Sequence, residues 1–472
     1  MAATTRKWGA RGRAKAKKVD DTIFESLEPM YPDSAGIDIG SEEHYVSVPE
    51  GRDEEPVRHF GCLTPDLEAM AKWLKECRIR TVVMESTGVY WVPVYRVLQD
   101  AGFEVLLVDA HHAKSVPGRK TDVWDSRWLR KLHTFGLLRG CFIPPRDIQT
   151  IRAYWRHRAS LVEECAEQIQ LMQKSLEQMN VQLAKVITDI SGVTGMAIIR
   201  AIIAGERDPL VLAGLKNSRI RSSEETIAKA LTGHYSEEHV FTLEQAVQAY
   251  DFFQQQMAAC DVKAQACMAQ FEDRKPGSGS NAAAKPSGSK SRRKNQPHFD
   301  LAGELTRIMG VDLTKVPGIQ ASVAQTIFSE LGFDLARYFP NEKRFCSWLT
   351  ACPNNRITGG RVRSSRTRKS RNRVMDALRI AAQALHHSSS ALGAYYRRMR
   401  ARLGAPEAIT ATAHKLARLV YRMLVHGEAY VEQGQAAYEA QYQEQSVRRL
   451  QKQAARMGYV LVAQTTGELL PA

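Results

Sequence analysis

From Tyr31 the chain alternates in the two-residue rhythm of strands. Ala35-Gly-Ile-Asp-Ile39, a Gly40-Ser41 turn, His44 to Val48 and Val57 to Phe60 together predict three short consecutive strands. Thr64-Pro65-Asp66 reads as a helix start, with a capping hydroxyl, a proline in the first turn and an early acid, leading into Leu67 to Cys77. Thr81-Val-Val-Met84 is a fully apolar strand that ends at Glu85, a helix from about Tyr90 to Asp100 stops at Gly102, and Phe103 to Asp109 supplies a fifth strand. A helix beginning near Thr121 carries Trp124, Trp128, Leu132 and Phe135 on one face. Three strands followed by alternating helix and strand is the order of a ribonuclease-H-like sheet. Residues 31–145, closed by Pro144-Pro145, are therefore expected to form an α/β domain of that kind.

After Pro145 the period changes. Leu161, Cys165, Ile169, Met172, Leu176, Met179, Leu183 and Val186 recur at spacings of four and three, which is a heptad seam. A second helix, roughly Thr242 to Asp273, carries Val247, Phe253, Met257, Cys260 and Cys267 and could pair with it antiparallel. Such arms are read either as an intramolecular hairpin or as a dimerisation coil. Residues 146–273 thus form a helical arm, and Arg274 to Pro297, rich in Gly, Ser, Ala, Pro and Lys, reads as a flexible linker within 274–298. Residues 299–430 are expected to be a mostly helical C-terminal domain, followed by a helical tail over 431–472. In that domain Val316-Pro-Gly-Ile319 opens an apolar helix through Ala324 to Leu331, and Gly192-Val-Thr-Gly195 looks like a weaker copy. Such turns either present backbone N–H groups to a phosphate or simply connect helices.

Composition narrows the partner. The 472 residues carry a net charge of +15, which points to a polyanion, because clustered Lys and Arg gain affinity by releasing phosphate counterions. Residues 1–30 read as a basic arm, with Arg6, Lys7, Arg11, Arg13, Lys15, Lys17 and Lys18 and no apolar stretch of a secretion signal. No apolar run is long enough to cross a bilayer, so no membrane partner is expected. Eight cysteines without a CxxC pair or a Cys/His metal spacing read as structural thiols of a reducing, cytoplasmic compartment.

Two clusters could carry chemistry. Asp38 lies inside a buried strand and Glu85 at the end of another, where an uncompensated carboxylate is costly, so a cation should neutralise them. Asp122 and Asp125 are three apart on a helix and can point the same way, and Asp38 and Glu85 converge if the first strand neighbours the fourth in a parallel sheet. Four such oxygen donors suit two Mg²⁺ ions engaged in phosphodiester cleavage. For Asp122 and Asp125 the plainer reading is a helix N-terminus that favours acids. Gly36-Ile-Asp-Ile-Gly40 also resembles the phosphate loop of actin-like ATPases and sugar kinases, but no later acidic-glycine phosphate loop completes that pattern.

The second cluster runs from Arg356 to Arg373. Arg356, Arg361, Arg363, Arg366, Arg368, Lys369, Arg371 and Arg373 are joined by Thr358, Ser364, Ser365, Thr367 and Ser370 and by no acid. Trp348-Leu349 precedes the run and an apolar helix, Val374 to Leu385, follows, so it reads as a phosphate-binding loop held in a folded domain.

Taken in order, Gly36-Ile-Asp-Ile-Gly40, Met84-Glu-Ser-Thr-Gly88, Lys120-Thr-Asp-Val-Trp-Asp125, the Pro-Gly turn and Pro353-Asn-Asn-Arg-Ile-Thr-Gly-Gly360 resemble the DEDD transposases of the insertion-sequence 110/1111 family. The resemblance implies a RuvC-like, ribonuclease-H-like N-terminal domain, a coiled-coil insert and a C-terminal transposase domain. It also implies recombination guided by a structured RNA from the element itself. Asp38, Glu85, Asp122 and Asp125 match the family's four carboxylates. Thr358 falls where most relatives carry the serine of a Ser-Gly pair, which is a departure.

The expected function is then a transposase that cuts and rejoins DNA through a covalent hydroxyl–DNA link. Thr358 is the nucleophile, with Ser364 and Ser365 as fallback, because Gly359-Gly360 lets the backbone bend close to a phosphate. Two partner DNAs, each cut on two strands, call for a homo-oligomer, a dimer or tetramer. The alternatives are a junction-resolving nuclease in which water attacks, and a non-catalytic architectural nucleic-acid-binding protein.

Overall fold

The computed structural model describes residues 27–109, 122–274, 295–368 and 372–460, apart from the side chains of Asp122, of residues 430–441 and of Ser446. The expected basic arm, most of the linker after Arg274 and the last residues of the tail lie outside that range, as do Lys369, Ser370 and Arg371. The chain divides into two compact units, Met1–Ile143 and Pro144–Ala472.

The first unit is built on a five-stranded sheet ordered β3-β2-β1-β4-β5, with β1 Ser34–Ile39, β2 Glu43–Ser47, β3 Val57–Gly61, β4 Thr81–Glu85 and β5 Glu104–Val108. Strands β1, β2 and β3 form an antiparallel meander, while β1, β4 and β5 run parallel. Helix α1 (Thr64–Glu76) and helix α2 (Trp91–Asp100) supply the crossovers, and α3 (Asp122–Thr134) follows β5. Side chains alternate across a strand, so the two faces can be read directly. Ala35, Ile37, Val82 and Met84 share one core with Leu67 and Leu74 of α1 and with Val94 and Leu98 of α2. On the opposite face Val83 and Val108 meet Leu129 of α3. Both faces are covered, as a parallel sheet requires.

Two local expectations change. Leu63, not Thr64, is the N-cap of α1: the Asp66 carboxylate takes the Leu63 N–H at 3.2 Å, and the threonine hydroxyl is not the cap. In α3 the buried positions are Ser126, Trp128, Leu129 and His133, while Trp124, Leu132 and Phe135 are only half-buried. The sheet-facing side of this helix is narrow and partly polar, so the bulky apolar stripe misidentified it. His133 lies 2.9 Å from the Thr81 hydroxyl and stacks on Tyr31 at a 4.9 Å centroid distance. Burial lowers its pKa to about 4.

Among its described residues the second unit is helical apart from one hairpin. Its long helix α4 (Arg146–Gln178) is followed by α5 (Leu183–Val186), α6 (Val193–Ile203), α7 (Pro209–Gly214), α8 (Glu224–Leu231) and a second long helix, α9 (Glu237–Met268). Three contacts run in opposite order along α4 and α9: Arg158 with Asp261, Cys165 Sγ to Met257 Sδ at 3.8 Å, and Ser175 Oγ to Thr242 Oγ1 at 3.1 Å. The two helices are therefore an antiparallel hairpin within one chain. The seam also ends sooner than its spacing suggested. The chain turns at Asn180, with φ of 57°, and Leu183 and Val186 pack with α6 and α8.

Beyond the arm come α10 (Leu301–Met309), α11 (Ala321–Leu331), α12 (Leu335–Tyr338) and α13 (Glu342–Trp348). Strands β6 (Arg356–Thr358) and β7 (Arg361–Ser364) precede α14 (Arg373–Ala384), α15 (Ala391–Leu403), α16 (Ala405–His426) and α17 (Glu428–Arg456). Arg156 grips Glu330 of α11 in a bidentate pair at 2.9 and 2.7 Å, which ties α4 to this part of the unit. Gly318 approaches the Ala381 carbonyl of α14, so that turn lets two helices pack closely, whereas Gly195, in the first turn of α6, lies against the backbone of Ile190 in the turn just before it.

The buried imidazole of His133 predicts a pH dependence. The unfolded chain protonates this histidine near 6.5 and the folded chain only near 4, so between those values the unfolded state binds more protons and stability falls as pH falls. The loss from this group is on the order of 3 kcal/mol across the window. Thermal melts from pH 7 to pH 4 on wild type and His133→Gln check it: the variant should start less stable and show a flatter profile. Parallel profiles would assign the titration to another group.

Candidate functional site

The first unit gathers acids at one edge of its sheet. In the parallel pairing of β1 with β4, Ile37 stands opposite Met84, so the next residues, Asp38 and Glu85, are neighbours at the C-terminal ends of the two strands. Residues side by side in a sheet point to the same face. For Asp38 and Glu85 it is the face shared with Gly36 and Val83, the one that α3 covers. Glu85 is buried, at 8% exposure, and the Thr87 hydroxyl donates to its Oε1 at 3.3 Å. Asp38 is half-buried and faces Tyr45 across the antiparallel pairing with β2.

Helix α3 brings the other two acids to this edge, and Gly36 sets how closely. A Cβ at position 36 would lie 2.3 Å from the Ser126 carbonyl oxygen and 2.5 Å from the Arg130 amide, so the strand meets the helix backbone to backbone. At the other end of the contact, Ser34 Oγ lies 2.9 Å from Thr134 Oγ1, and the Thr134 carbonyl accepts from the amides of Met30 and Tyr31. The helix therefore runs opposite to β1. Asp38 is about 13 Å beyond Ser34 along the strand, and Asp125 is about 13 Å beyond Thr134 along the helix. Asp125 and Asp122, in the first turn of α3, accordingly belong to the same edge as Asp38 and Glu85. Asp125 is half-buried, and Trp124 stacks on Trp128 beside it at 5.3 Å.

The donor set is all oxygen, which is the chemistry of a hard divalent cation. Among the described residues no group of three or more His, Cys, Asp or Glu side chains could hold a metal ion, and the Asp122 carboxylate is not among those described.

Arg130 escaped the sequence reading. It reaches from α3 to Ser47 of β2, donating from Nε at 3.1 Å, and burial lowers its pKa from the usual arginine value. A glycine inside a buried strand was the available signal, because it marks where another backbone comes close.

In the second unit residues 356–364 of the basic run form a β-hairpin. Thr358 pairs with Arg361 across Gly359 and Gly360, whose φ values of 55° and 73° make a two-residue turn of the type that matches strand twist. The pairing continues below the strands through the Pro353–Thr367 bridge and the Asn354 amide to the Arg366 carbonyl at 3.0 Å. Thr358 and Arg361 share one face of the ribbon, and Ile357 and Val362 share the other. Thr358 is exposed and caps no helix. Ser364 is half-buried and Ser365 exposed. Among the described residues no carboxylate pairs with Arg356, Arg361, Arg363 or Arg366, whereas Arg368 donates to the Ser347 carbonyl at 3.0 Å. Arg373 is the first residue of α14, which Asn372 caps by accepting from the Met375 amide.

Comparison with known families adds two matches. Residues 35–181 match the model of the DEDD transposases of the IS110 type, described as a transposase, and residues 312–397 match that described as transposase IS116/IS110/IS902 family. No curated protein matches the chain. Asp38, Glu85, Asp122 and Asp125 fall in the first match and Thr358 in the second.

The contact at Gly36 is testable on its own. Gly36→Ala forces a methyl against backbone that cannot rotate away, so it should cost about 2–3 kcal/mol. Thermal melting measures the loss. A variant that melts with wild type would mean that α3 is not seated on β1 as described.

Proposed function

The chain belongs to the IS110 family of transposases, and from that membership we propose that it cleaves DNA strands and rejoins them through a covalent threonine–DNA intermediate. What chiefly supports the reading is the edge where Asp38 and Glu85 stand side by side and the acid-bearing end of α3 arrives. The sheet order β3-β2-β1-β4-β5, with β2 alone running against the other four strands, supports reading the first unit as a ribonuclease-H-like domain. Asp38, Glu85, Asp122 and Asp125 are the residues that would hold Mg²⁺. When bound there, the ion supplies positive charge to the scissile phosphate and its leaving oxygen.

The chain's own chemistry starts at Thr358. Its hydroxyl oxygen attacks phosphorus, a bond forms between them, the bond from phosphorus to the sugar oxygen breaks, and that oxygen takes up a proton in place of the one the threonine loses. Rejoining reverses the step: a hydroxyl from another strand attacks the phosphothreonine and releases Thr358. The energy of the broken bond is kept in the link, so no nucleotide is consumed. Arg356, Arg361, Arg363 and Arg366 bind the flanking phosphates and stabilise the charge that develops on the reacting one. The partners on this reading are donor DNA, target DNA and a structured guide RNA. Several copies of the chain act together, since each offers one such hydroxyl.

Two experiments test it. Asp38→Asn or Glu85→Gln should lower recombination on the order of a thousandfold while leaving DNA binding intact, and Mg²⁺ should raise the melting temperature of wild type more than that of either variant. Recombination near the wild-type rate would refute the metal assignment. For the nucleophile, Thr358→Ser should retain strand joining and Thr358→Ala should abolish it without loss of binding, with peptide mapping of the trapped adduct as the readout. DNA attached to Ser364 or Ser365 would move the nucleophile, and cleavage without any protein–DNA adduct would favour attack by water.

A further inference from the structure

Helix α9 has two seams on opposite sides. The inner one, which includes Leu243, Val247, Met257, Ala264 and Met268, is buried within its own unit. Two residues earlier in every repeat, and therefore about 200° around the helix, a second series runs from Phe241 to Ala266 with the same alternation of four and three. Every position of this outer series is exposed, and Phe241, Phe252 and Val262 are 59%, 54% and 66% exposed. The other members are glutamine and alanine, and none is charged. In a chain of which 25% is charged, an uncharged stripe held over the length of a helix is not an ordinary solvated face.

We propose that this outer seam pairs with the same seam of a second copy of the chain, as an antiparallel two-helix contact. The proposal rests on the reading that several copies act together, and it names the surface that joins them. The chemistry of the stripe selects the occupant. A nucleic acid is disfavoured, because the seam itself carries no basic residue, and of the charges that flank it Asp251 is paired with Arg200 while Glu244 and Lys263 are of opposite sign. Lipid is disfavoured by glutamines along the centre. A helix of the same period fits, and the seam is complementary to itself. Antiparallel alignment sets Phe241 against Ala266, Gln245 against Val262, Gln248 against Ala259 and Phe252 against Gln255, so each phenylalanine meets a smaller residue. Parallel alignment would stack Phe on Phe and Ala on Ala, leaving layers alternately overfilled and empty. In the antiparallel register the flanks are compatible too: Glu244 falls beside Gln265, Asp251 beside Ala258 and Lys263 beside Thr242, with no like charges opposed.

Light scattering and sedimentation of the full-length chain provide the first test. Wild type should be dimeric or larger at micromolar concentration. The triple variant Phe241→Asp, Phe252→Asp, Val262→Asp should weaken association about a hundredfold or more, with helical content and melting temperature unchanged, since all three positions are exposed. A second measurement uses the otherwise native chain with a benzophenone-bearing residue in place of Phe241. Illumination should join it to the partner's segment around Ala266. Cross-links back to the segment around residue 241 would overturn the antiparallel register. An unaltered oligomer in the triple variant would overturn the surface while leaving the multi-copy reading intact, and a wild type that stays monomeric with and without DNA would overturn both.

Discussion

At Gly36 strand β1 and helix α3 touch through their backbones, and the placement of α3 against the acid-bearing edge of the sheet follows from that contact. A side chain there would lift the helix by the width of a methyl group and carry Asp122 and Asp125 away from the sheet edge. With hydrogen in that place, the helix is held at one end by Ser34 and Thr134 and in the middle by the glycine. The Arg130 side chain, leaving α3 at the same contact, reaches across to Ser47 of β2. The approach of the first turn of α3 to the sheet edge where Asp38 and Glu85 stand is thus fixed by close-packed parts well away from the acids. The acids can repel one another without moving the scaffold, and such repulsion is what makes a polyvalent cation a favourable occupant of a carboxylate cluster.

Most of this unit was legible in the sequence because its signals are local. The strands alternate, α1 opens with a proline in its first turn, α2 stops just before Gly102, and an acid inside an apolar strand is costly enough to be informative. Strands β1, β4 and β5 fall within a residue or two of their expected limits. Less legible was which face of α3 meets the sheet. Hydrophobic size favoured Trp124, Leu132 and Phe135, but a glycine-mediated approach selects small or polar residues that can lie under a close backbone, namely Ser126 and His133. Asp38 and Glu85 were found by chemistry, and the parallel pairing of their strands was a condition that only the fold could meet.

In the second unit the same kind of signal carried less information. A heptad spacing says that a helix has a partner but not whose helix it is. The α4 seam proved to be satisfied by α9, through a buried pair of Arg158 with Asp261 as well as apolar contacts. A buried charge pair is costly to break and adds little when whole, so its effect is to fix register between the helices more than to add stability. The outer seam of α9 is hidden in the sequence for a different reason: five of its eight positions are glutamine or alanine, so no apolar stripe stands out until exposure is known.

The hairpin of β6 and β7 brings several of these constraints to one point. A two-residue turn with positive φ at both positions is cheap only for glycine, which accounts for Gly359-Gly360. The residue before the turn is then the last of a strand, where a β-branched side chain is at home. Threonine in place of serine therefore costs this ribbon nothing in conformation. Its χ1 is also stiffer than serine's, so in the proposed reaction the hydroxyl would be held in fewer orientations at the price of a more crowded approach to phosphorus. That trade is sustainable only where the surroundings are open, and both strands leave Thr358 exposed beside Arg361 on the same face of the ribbon. An arginine facing the hydroxyl from the paired strand offers a phosphate two hydrogen bonds while it lies against the threonine oxygen. The short turn, the branched residue before it and the facing arginine are thus consequences of one local geometry.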